Sequence, residues 1–179
     1  MEKVLEFAKT IINNKKGNKE TAIDATCGRG NDALFLAPLF KEVYAFDIQE
    51  EAISSTKELL KDYNNVKIIK DSNEYICTHV KSPIDCVMYN LGYLPKGDKN
   101  ITTKADETVK SLQAVLDKLA PDGVVTIICY PGHNEGAIES KKVEQYLREL
   151  NQKEYDVIKY DFINQINNPP FLLAVRKIK

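Results

Sequence analysis

A short apolar run leads into a loop with two glycines at Thr21-Ala22-Ile23-Asp24-Ala25-Thr26-Cys27-Gly28-Arg29-Gly30-Asn31-Asp32. The first four of these residues predict a strand, and apolar residues at helical spacing resume after Asn31. Gly28 and Gly30 predict a sharp turn, because a residue without a Cβ adopts positive φ at no steric cost. A strand, a glycine loop and a helix in this order are typical of a nucleotide-binding unit in an α/β sheet.

The rest of the chain repeats this alternation, which predicts the α/β class with a mostly parallel sheet. Expected helices lie at 3–14, 31–40, 50–60, 74–80, 105–119 and 135–150, and expected strands at 21–24, 43–47, 66–69, 84–89 and 124–130, the last after a turn at 121–123. Two more strand-like runs, 155–163 and 171–177, have no helix between them, so we expect them to pair antiparallel. The length of 179 residues fits one domain over 1–179.

Composition and charge exclude several classes of protein. Hydrophobic residues make up 43% of the chain and charged residues 28%, which argues against disorder and against a small disulfide-stapled fold. The 25 basic and 26 acidic residues leave a net charge of -1, so any nucleic-acid contact must come from a local patch. No apolar run approaches the roughly 18 residues of a membrane span, and the amino terminus is too charged for a signal peptide. We therefore expect a cytoplasmic protein with no membrane partner.

The spacing of the cysteines and histidines does not predict a metal site. The four cysteines have none of the paired short spacings of zinc and redox motifs, and only two histidines could supplement them. Cys86 and Cys129 lie in apolar runs and are expected to be small core residues. The full set is Cys27, Cys77, Cys86, Cys129, His79 and His133.

The residues that end the first two strands are the first candidates for a ligand site, because ligands lie beyond the carboxyl ends of an open parallel sheet. Asp24 ends the first strand. Asp47 ends the second, where a carboxylate can accept hydrogen bonds from both hydroxyls of an adenosine ribose. Residues 28–33 also match the G-x-G-x-x-A fingerprint of dinucleotide-binding proteins. At this point a dinucleotide and S-adenosylmethionine both remain possible ligands.

Electrostatics favours S-adenosylmethionine. We expect Asp24 at the mouth of the loop, where it would repel a pyrophosphate but attract the ammonium and sulfonium of S-adenosylmethionine. A carboxylate within about 4 Å of a cation contributes roughly 1–4 kcal/mol, between the dielectric limits of water and of a protein surface. Asp71-Ser72-Asn73, after the third strand, offers short polar groups to an adenine edge. The alternative is that Asp24 and Asp71 only cap strand ends or helices.

The predicted order of elements resembles the class I, Rossmann-like fold of S-adenosylmethionine-dependent methyltransferases, which is a mostly parallel seven-stranded sheet with an antiparallel C-terminal strand. After the fourth strand, Asn90-Leu91-Gly92-Tyr93-Leu94-Pro95 resembles the Asn/Asp-Pro-Pro-Tyr motif of amino methyltransferases. In those enzymes the amide oxygen and a backbone carbonyl accept hydrogen bonds from the target amine, and the aromatic ring stacks on a planar base. The alternative is a loop in which Tyr93 is only a core residue.

Six segments together are similar to a small bacterial family called putative rRNA methylase. These segments are 24–32, 46–49, 71–74, 90–95, 130–133 and 168–170. Members of this family are similar to the tRNA methyltransferase that converts wobble 5-aminomethyl-2-thiouridine to 5-methylaminomethyl-2-thiouridine. The resemblance implies that Asn90, Tyr93 and His133 face the nucleotide. Together with the strand-end residues discussed above, it gives a set of residues expected to hold S-adenosylmethionine, which are Asp24, Thr26, Gly28, Arg29, Gly30, Asn31, Asp47, Gln49, Asp71, Ser72 and Asn73. The chain departs from the usual family pattern at Arg29 and Asn73.

Transfer of a methyl group to a primary amine requires the neutral amine, so a proton must leave the ammonium form first. The candidate acceptors are His133, Asp98 and a water molecule held by Asn90. His133 is favoured because the ordinary pKa of histidine is about 6.5. The alternative is that His133 only caps the helix that follows Gly132.

Local basic side chains are the expected contacts to RNA phosphates, with a solvated surface as the alternative for each. They are Lys96, Lys99 and Lys104 on the loop after the fourth strand, and Lys141, Lys142 and Arg148 on a later helix. The expected partner is the anticodon region of tRNA, and rRNA or a small-molecule amine is the alternative substrate. A homodimer that shares the RNA is a further hypothesis, because a chain of 179 residues offers little surface to a folded RNA.

Overall fold

The structure is a computed structural model that describes residues 1–92 and 104–179, and these residues form a seven-stranded sheet covered by helices. The strands are β1 (Thr21–Asp24), β2 (Glu42–Asp47), β3 (Val66–Lys70), β4 (Ile84–Asn90), β5 (Leu119–Cys129), β6 (Tyr155–Tyr160) and β7 (Phe171–Lys177). The helices are α1 (Val4–Asn13), α2 (Asn31–Leu36), α3 (Glu50–Leu59), α4 (Ile76–His79), α5 (Ala105–Lys118) and α6 (Asn134–Arg148), with a 3₁₀ turn at Asn73–Tyr75. None of these helices is long and apolar enough to cross a membrane.

The strands lie in the order β3-β2-β1-β4-β5-β7-β6. All neighbours are parallel except β7, which runs antiparallel to both β5 and β6. The predictions of the α/β class and of an antiparallel C-terminal strand are therefore confirmed, and β7 inserts between its two partners. The strand order reverses between β1 and β4, so a crevice opens there at the carboxyl ends of the strands.

The central strands β1, β4, β5 and β7 are mostly buried on both faces, and alternate residues of each strand point to opposite faces. On β4, Val87 and Tyr89 belong to the core that contains residues of α5 and α6, while Cys86 and Met88 pack with residues of α1 and α2. Cys86 and Cys129 are fully buried, which confirms their prediction as core residues. Burial on both faces explains why these central strands are largely apolar runs in the sequence.

The turn predicted at 121–123 is a bulge inside β5 rather than a loop before it. Ile84 of β4 pairs with Leu119, and Cys86 pairs with Val124, so two steps along β4 correspond to five along β5. The extra residues leave the ladder at Asp122, whose φ is 59°. The prediction that this strand starts at 124 is wrong because a bulge has the same local turn chemistry as a connection.

Asp85, which lies on β4 beside this bulge, fixes the chain where it enters β1. The side chain is buried, and its Oδ2 accepts hydrogen bonds from the backbone N–H groups of Glu20 and Thr21, each at 3.0 Å. Because β1 ends in the glycine loop, this anchor also sets the start of the loop.

We expect Asp85→Ala to lower the free energy of unfolding by about 2–4 kcal/mol, because two backbone donors lose a charged acceptor. Urea denaturation followed by circular dichroism measures the change. The matched control is Asp62→Ala at an exposed turn, for which we expect a change below about 0.5 kcal/mol. A loss in Asp85→Ala no greater than that of the control would contradict the assignment of Asp85 as an anchor.

Candidate active site

A cavity of about 1450 Å³ lies over the carboxyl ends of the strands. It exceeds the roughly 300–1,000 Å³ of an ordinary small-molecule site, so it has room for more than one ligand. The predicted site residues that line it are Thr26, Gly28, Arg29, Asn31, Asp47, Gln49, Asp71, Ser72, Asn73, Asn90, Lys104 and His133.

Several predicted site residues lie elsewhere. Asp24 and Gly30 are buried and do not line the cavity. Tyr93, Lys96, Asp98 and Lys99 fall outside the described residues. On α6, Lys142 pairs with Asp106, Arg148 pairs with Glu144, and Lys141 lies beside a separate, smaller cavity.

The glycine loop is clamped between β2 and α3. The N–H of Gly28 donates to Asp47 Oδ2 at 2.9 Å, and Gly28 has a φ of 52°. Gly30 has a φ of 84°, and a Cβ at this position would lie only 3.0 Å from the side chain of Thr56. Both glycines are therefore required by backbone conformation, and Gly30 also by close packing.

Asp24 holds the loop from below instead of facing a ligand. Its carboxylate accepts hydrogen bonds from the N–H groups of Ala33, at 2.8 Å, and Thr26, at 3.3 Å. Complete burial, followed by the nearby charge of Asp32, raises the pKa of Asp24 well above its usual range. The electrostatic attraction expected from Asp24 therefore has to come from carboxylates that do line the cavity, such as Asp32 and Asp47.

Asp47 combines a backbone contact with exposure to the cavity. Its Oδ1 accepts from the N–H of Gln49 at 2.9 Å, while Oδ2 accepts from Gly28. A carboxylate has about four acceptor positions, so two remain for ribose hydroxyls. The bond to Gly28 also occupies a loop N–H that a dinucleotide-binding protein would offer to a pyrophosphate.

The segment 71–73 forms a polar wall that neighbouring side chains hold in place. Asp71 Oδ2 lies 2.8 Å from the Nε2 of His79, and this hydrogen bond lowers the pKa of Asp71. Ser72 accepts from the N–H of Glu74 and caps the 3₁₀ turn. The carbonyl of Asn73 accepts from Ser111 at 2.8 Å.

At the other side of the cavity the side chain of Asn90 is held at both ends of its amide. Its Oδ1 accepts from the Tyr130 hydroxyl at 2.7 Å, and its Nδ2 donates to Asp32 Oδ2 at 3.4 Å. The backbone N–H of Asn90 donates to Thr26 Oγ1 at 2.7 Å. The sequence did not lead us to predict Asp32 or Tyr130 as site residues, although each follows a strand whose carboxyl end lies at this edge.

His133 caps α6, as the alternative interpretation of the sequence proposed. Its Nδ1 accepts from the N–H of Gly136 at 3.1 Å. A neutral ring that accepts at Nδ1 carries its proton on Nε2. The lone pair of Nδ1 is therefore engaged by the backbone of α6.

The residues of this cavity fit S-adenosylmethionine. Asp47 can hold the ribose, the wall at 71–73 can meet the adenine edge, and Ile48, which is 52% exposed, adds an apolar surface for the ring. Carboxylates among the described lining residues attract the positive charges of the ligand. These carboxylates belong to Glu6, Asp32, Asp47, Asp71 and Glu107.

A family model described as "Putative rRNA methylase" matches residues 43–176. The chain belongs to this family. It is 32% identical to the chloroplastic tRNA (mnm(5)s(2)U34)-methyltransferase of Arabidopsis thaliana, over 98% of this chain and 70% of that protein.

Two crystal structures are similar over almost their whole length. A putative rRNA-methylase of Clostridium thermocellum is 38% identical, with a TM-score of 0.95 and 99% of both chains covered. A putative methyltransferase of Streptococcus mutans in complex with S-adenosylhomocysteine (SAH) is 35% identical, with a TM-score of 0.92 and 99% of both chains covered. The protein is thus an S-adenosylmethionine-dependent methyltransferase with a class I fold.

We expect Asp47→Ala to weaken SAH binding by at least about tenfold, equivalent to about 1.4 kcal/mol, because the variant loses both the ribose acceptor and the clamp on Gly28. Isothermal titration calorimetry measures this affinity, with Asp62→Ala as the matched control. Affinities of the two variants that agree within about twofold would contradict the role of Asp47.

For His133 we expect substitution to affect stability more than chemistry. His133→Ala should lower the free energy of unfolding by about 1 kcal/mol, whereas His133→Asn restores a capping acceptor. Methyl transfer by His133→Asn should stay within about threefold of the unmodified protein, because the role shown for the ring is the cap at Gly136, which asparagine can also form. Single-turnover rates decide the matter, since loss of a general base would cost about 10²-fold or more.

Proposed function

We propose that this methyltransferase N-methylates the 5-aminomethyl group of wobble 5-aminomethyl-2-thiouridine in tRNA to give 5-methylaminomethyl-2-thiouridine. The structural observation that carries the proposal is the Asn90 amide, held by Tyr130 and Asp32 at the edge of the cofactor cavity. The name and the 32% identity of the Arabidopsis thaliana protein supply the choice of substrate.

Asn90 can position a primary amine. Its carbonyl oxygen has two lone pairs, and Tyr130 uses one of them. The second can accept an N–H of the substrate, which would turn the nitrogen lone pair toward the methyl donor. The 2.7 Å bond from Tyr130, with the longer contact of Nδ2 to Asp32, limits rotation of the side chain, so little entropy is lost when the substrate binds.

S-Adenosylmethionine supplies an electrophilic methyl group to this site when it is bound. The protein aligns the amine with that methyl group and favours positive charge, since Asp32 and Asp47 both line the cavity. The same charges suit a substrate that arrives as an ammonium ion.

Contacts to the RNA backbone are proposed for basic residues at the rim. Arg29 and Lys104 are exposed and line the cavity. The exposed ion pairs of Lys142 and Arg148 contribute only about 0–1 kcal/mol, so a phosphate can compete for these side chains. A second copy of the chain could extend this surface.

An rRNA amine is the second candidate substrate. It is favoured by the family description and by the name of the Clostridium thermocellum protein. The cofactor residues would be the same for both substrates, so only a substrate assay separates them.

We expect the protein to convert 5-aminomethyl-2-thiouridine to its N-methylated product in tRNA that carries this nucleoside and lacks the methyl group. Nucleoside mass spectrometry after incubation with S-adenosylmethionine measures the conversion. Asn90→Ala should lower the single-turnover rate by roughly 10²-fold, because the amine loses its positioning contact, while SAH affinity stays within about threefold.

The control substrates are tRNA without the aminomethyl group and ribosomal RNA, each under the same conditions. Methylation of ribosomal RNA in preference to the aminomethyl tRNA would overturn the proposed substrate. It would leave the assignment of the cofactor site intact.

A further inference from the structure

Asp32 is a carboxylate with few compensating contacts at the reacting side of the cavity. It is the second residue of α2, lines the cavity and is only 8% exposed. The contact from Asn90 Nδ2, at 3.4 Å, is near the upper limit for a hydrogen bond and contributes little. A buried carboxylate whose hydrogen-bond donor is this weak is stabilised by any partner that brings a proton or a positive charge.

Charged and titratable groups from α1, β1, β2 and the segment after β5 lie near Asp32. Lys9 on α1 favours the ionised carboxylate, while Asp24 on β1 and, more distantly, Asp47 on β2 add like charge to the cluster. Tyr130 after β5 has its own pKa raised, by burial and then by the charge of Asp32. Burial is the largest influence on Asp32 itself and raises its pKa above the ordinary value of an aspartic acid.

We propose that Asp32 is the catalytic residue that accepts the proton of the substrate ammonium before methyl transfer. This inference rests on the proposed function, since it requires an amine substrate. The Asn90 amide, which contacts Asp32, places the amine next to this carboxylate. Asn90 orients the nitrogen, and Asp32 makes it nucleophilic.

The step balances without a further reactant. The ammonium N–H bond breaks, its electron pair stays on nitrogen, and the proton moves to the Asp32 carboxylate. The nitrogen lone pair then forms the new N–C bond to the methyl group while the C–S bond breaks, and its electron pair stays on sulfur. The product is a secondary ammonium ion with SAH, and the Asp32 proton is then released to solvent.

Other described groups are less suited to this role. His133 uses Nδ1 to cap α6. Asp24 does not line the cavity. Asp47 and Asp71 each accept bonds from the backbone at the side of the cavity assigned to the cofactor. Asp32 is the carboxylate in contact with the residue that positions the amine.

The test is the pH dependence of kcat/KM for aminomethyl tRNA at saturating S-adenosylmethionine, for the unmodified protein and for Asp32→Asn. The variant is isosteric and can still accept from Asn90. With Asp32 as acceptor, the protein uses the abundant ammonium form, so its profile should be flat between the pKa of Asp32 and the pKa of the amine. Asp32→Asn must use the neutral amine, so its kcat/KM should rise about tenfold per pH unit over this range.

At pH 7 we expect Asp32→Asn to lose roughly 10²-fold in kcat/KM, with most of the loss recovered at high pH. SAH affinity by calorimetry should stay within about threefold, and the melting temperature shows whether the variant folds. Asp62→Asn, on the exposed turn after α3, is the matched control and should reproduce the flat profile.

Three results would overturn the inference. They are a loss that is equal at all pH values, a loss that appears mainly in SAH affinity, and unchanged kinetics of Asp32→Asn. If the variant does not fold, the pH profile of the unmodified protein still tests the inference. A kcat/KM of the unmodified protein that rises about tenfold per pH unit would mean that no protein group takes the proton, and it would overturn the inference. Unmodified protein that binds SAH but does not methylate aminomethyl tRNA would overturn the proposed function, and this inference with it.

Discussion

The site depends on hydrogen bonds that buried or partly buried carboxylates accept from backbone N–H groups of the loop between β1 and α2 and of the first turn of α2. Asp24 holds Thr26 and Ala33 from below, and Asp47 holds Gly28 from the neighbouring strand. Gly28 and Gly30 make this path possible, because both have positive φ. With the loop held at two sides, its side chains and the start of α2 have fixed positions at the edge of the cavity.

The same geometry concentrates negative charge where a positively charged methyl donor binds. Three acids lie close enough to influence one another, and the like charges of Asp32 and Asp47 add to the effect of burial on Asp24. A neutral Asp24 would relieve part of this repulsion and leave the charge on the residues that line the cavity. Such an arrangement suits cations in both ligand positions, the sulfonium of the donor and the ammonium of an amine substrate.

The reacting side of the cavity combines residues from the ends of three strands, β1, β4 and β5. Thr26 follows β1, Tyr130 follows β5, and Asp32 lies in the first turn of the helix after β1. All three contact Asn90 at the end of β4, Thr26 at its backbone N–H and the other two at its side-chain amide. The order of strands makes this possible, because β1, β4 and β5 are adjacent in the sheet and parallel. The fold therefore supplies the positioning, and the residue types at the strand ends supply the chemistry.

Local patterns in the sequence determined the α/β class, the parallel strands, the antiparallel β7, the two turn-forming glycines and the position of Asp47 at a strand end. These features depend on hydrophobic periodicity and backbone conformation, which neighbouring residues encode. Tertiary structure alone decided that Asp24 faces the backbone, that His133 caps a helix and that Asp32 meets Asn90, a residue 58 positions away. The direction of a polar side chain depends on which distant donors folding brings within about 3 Å, and no local pattern records that distance.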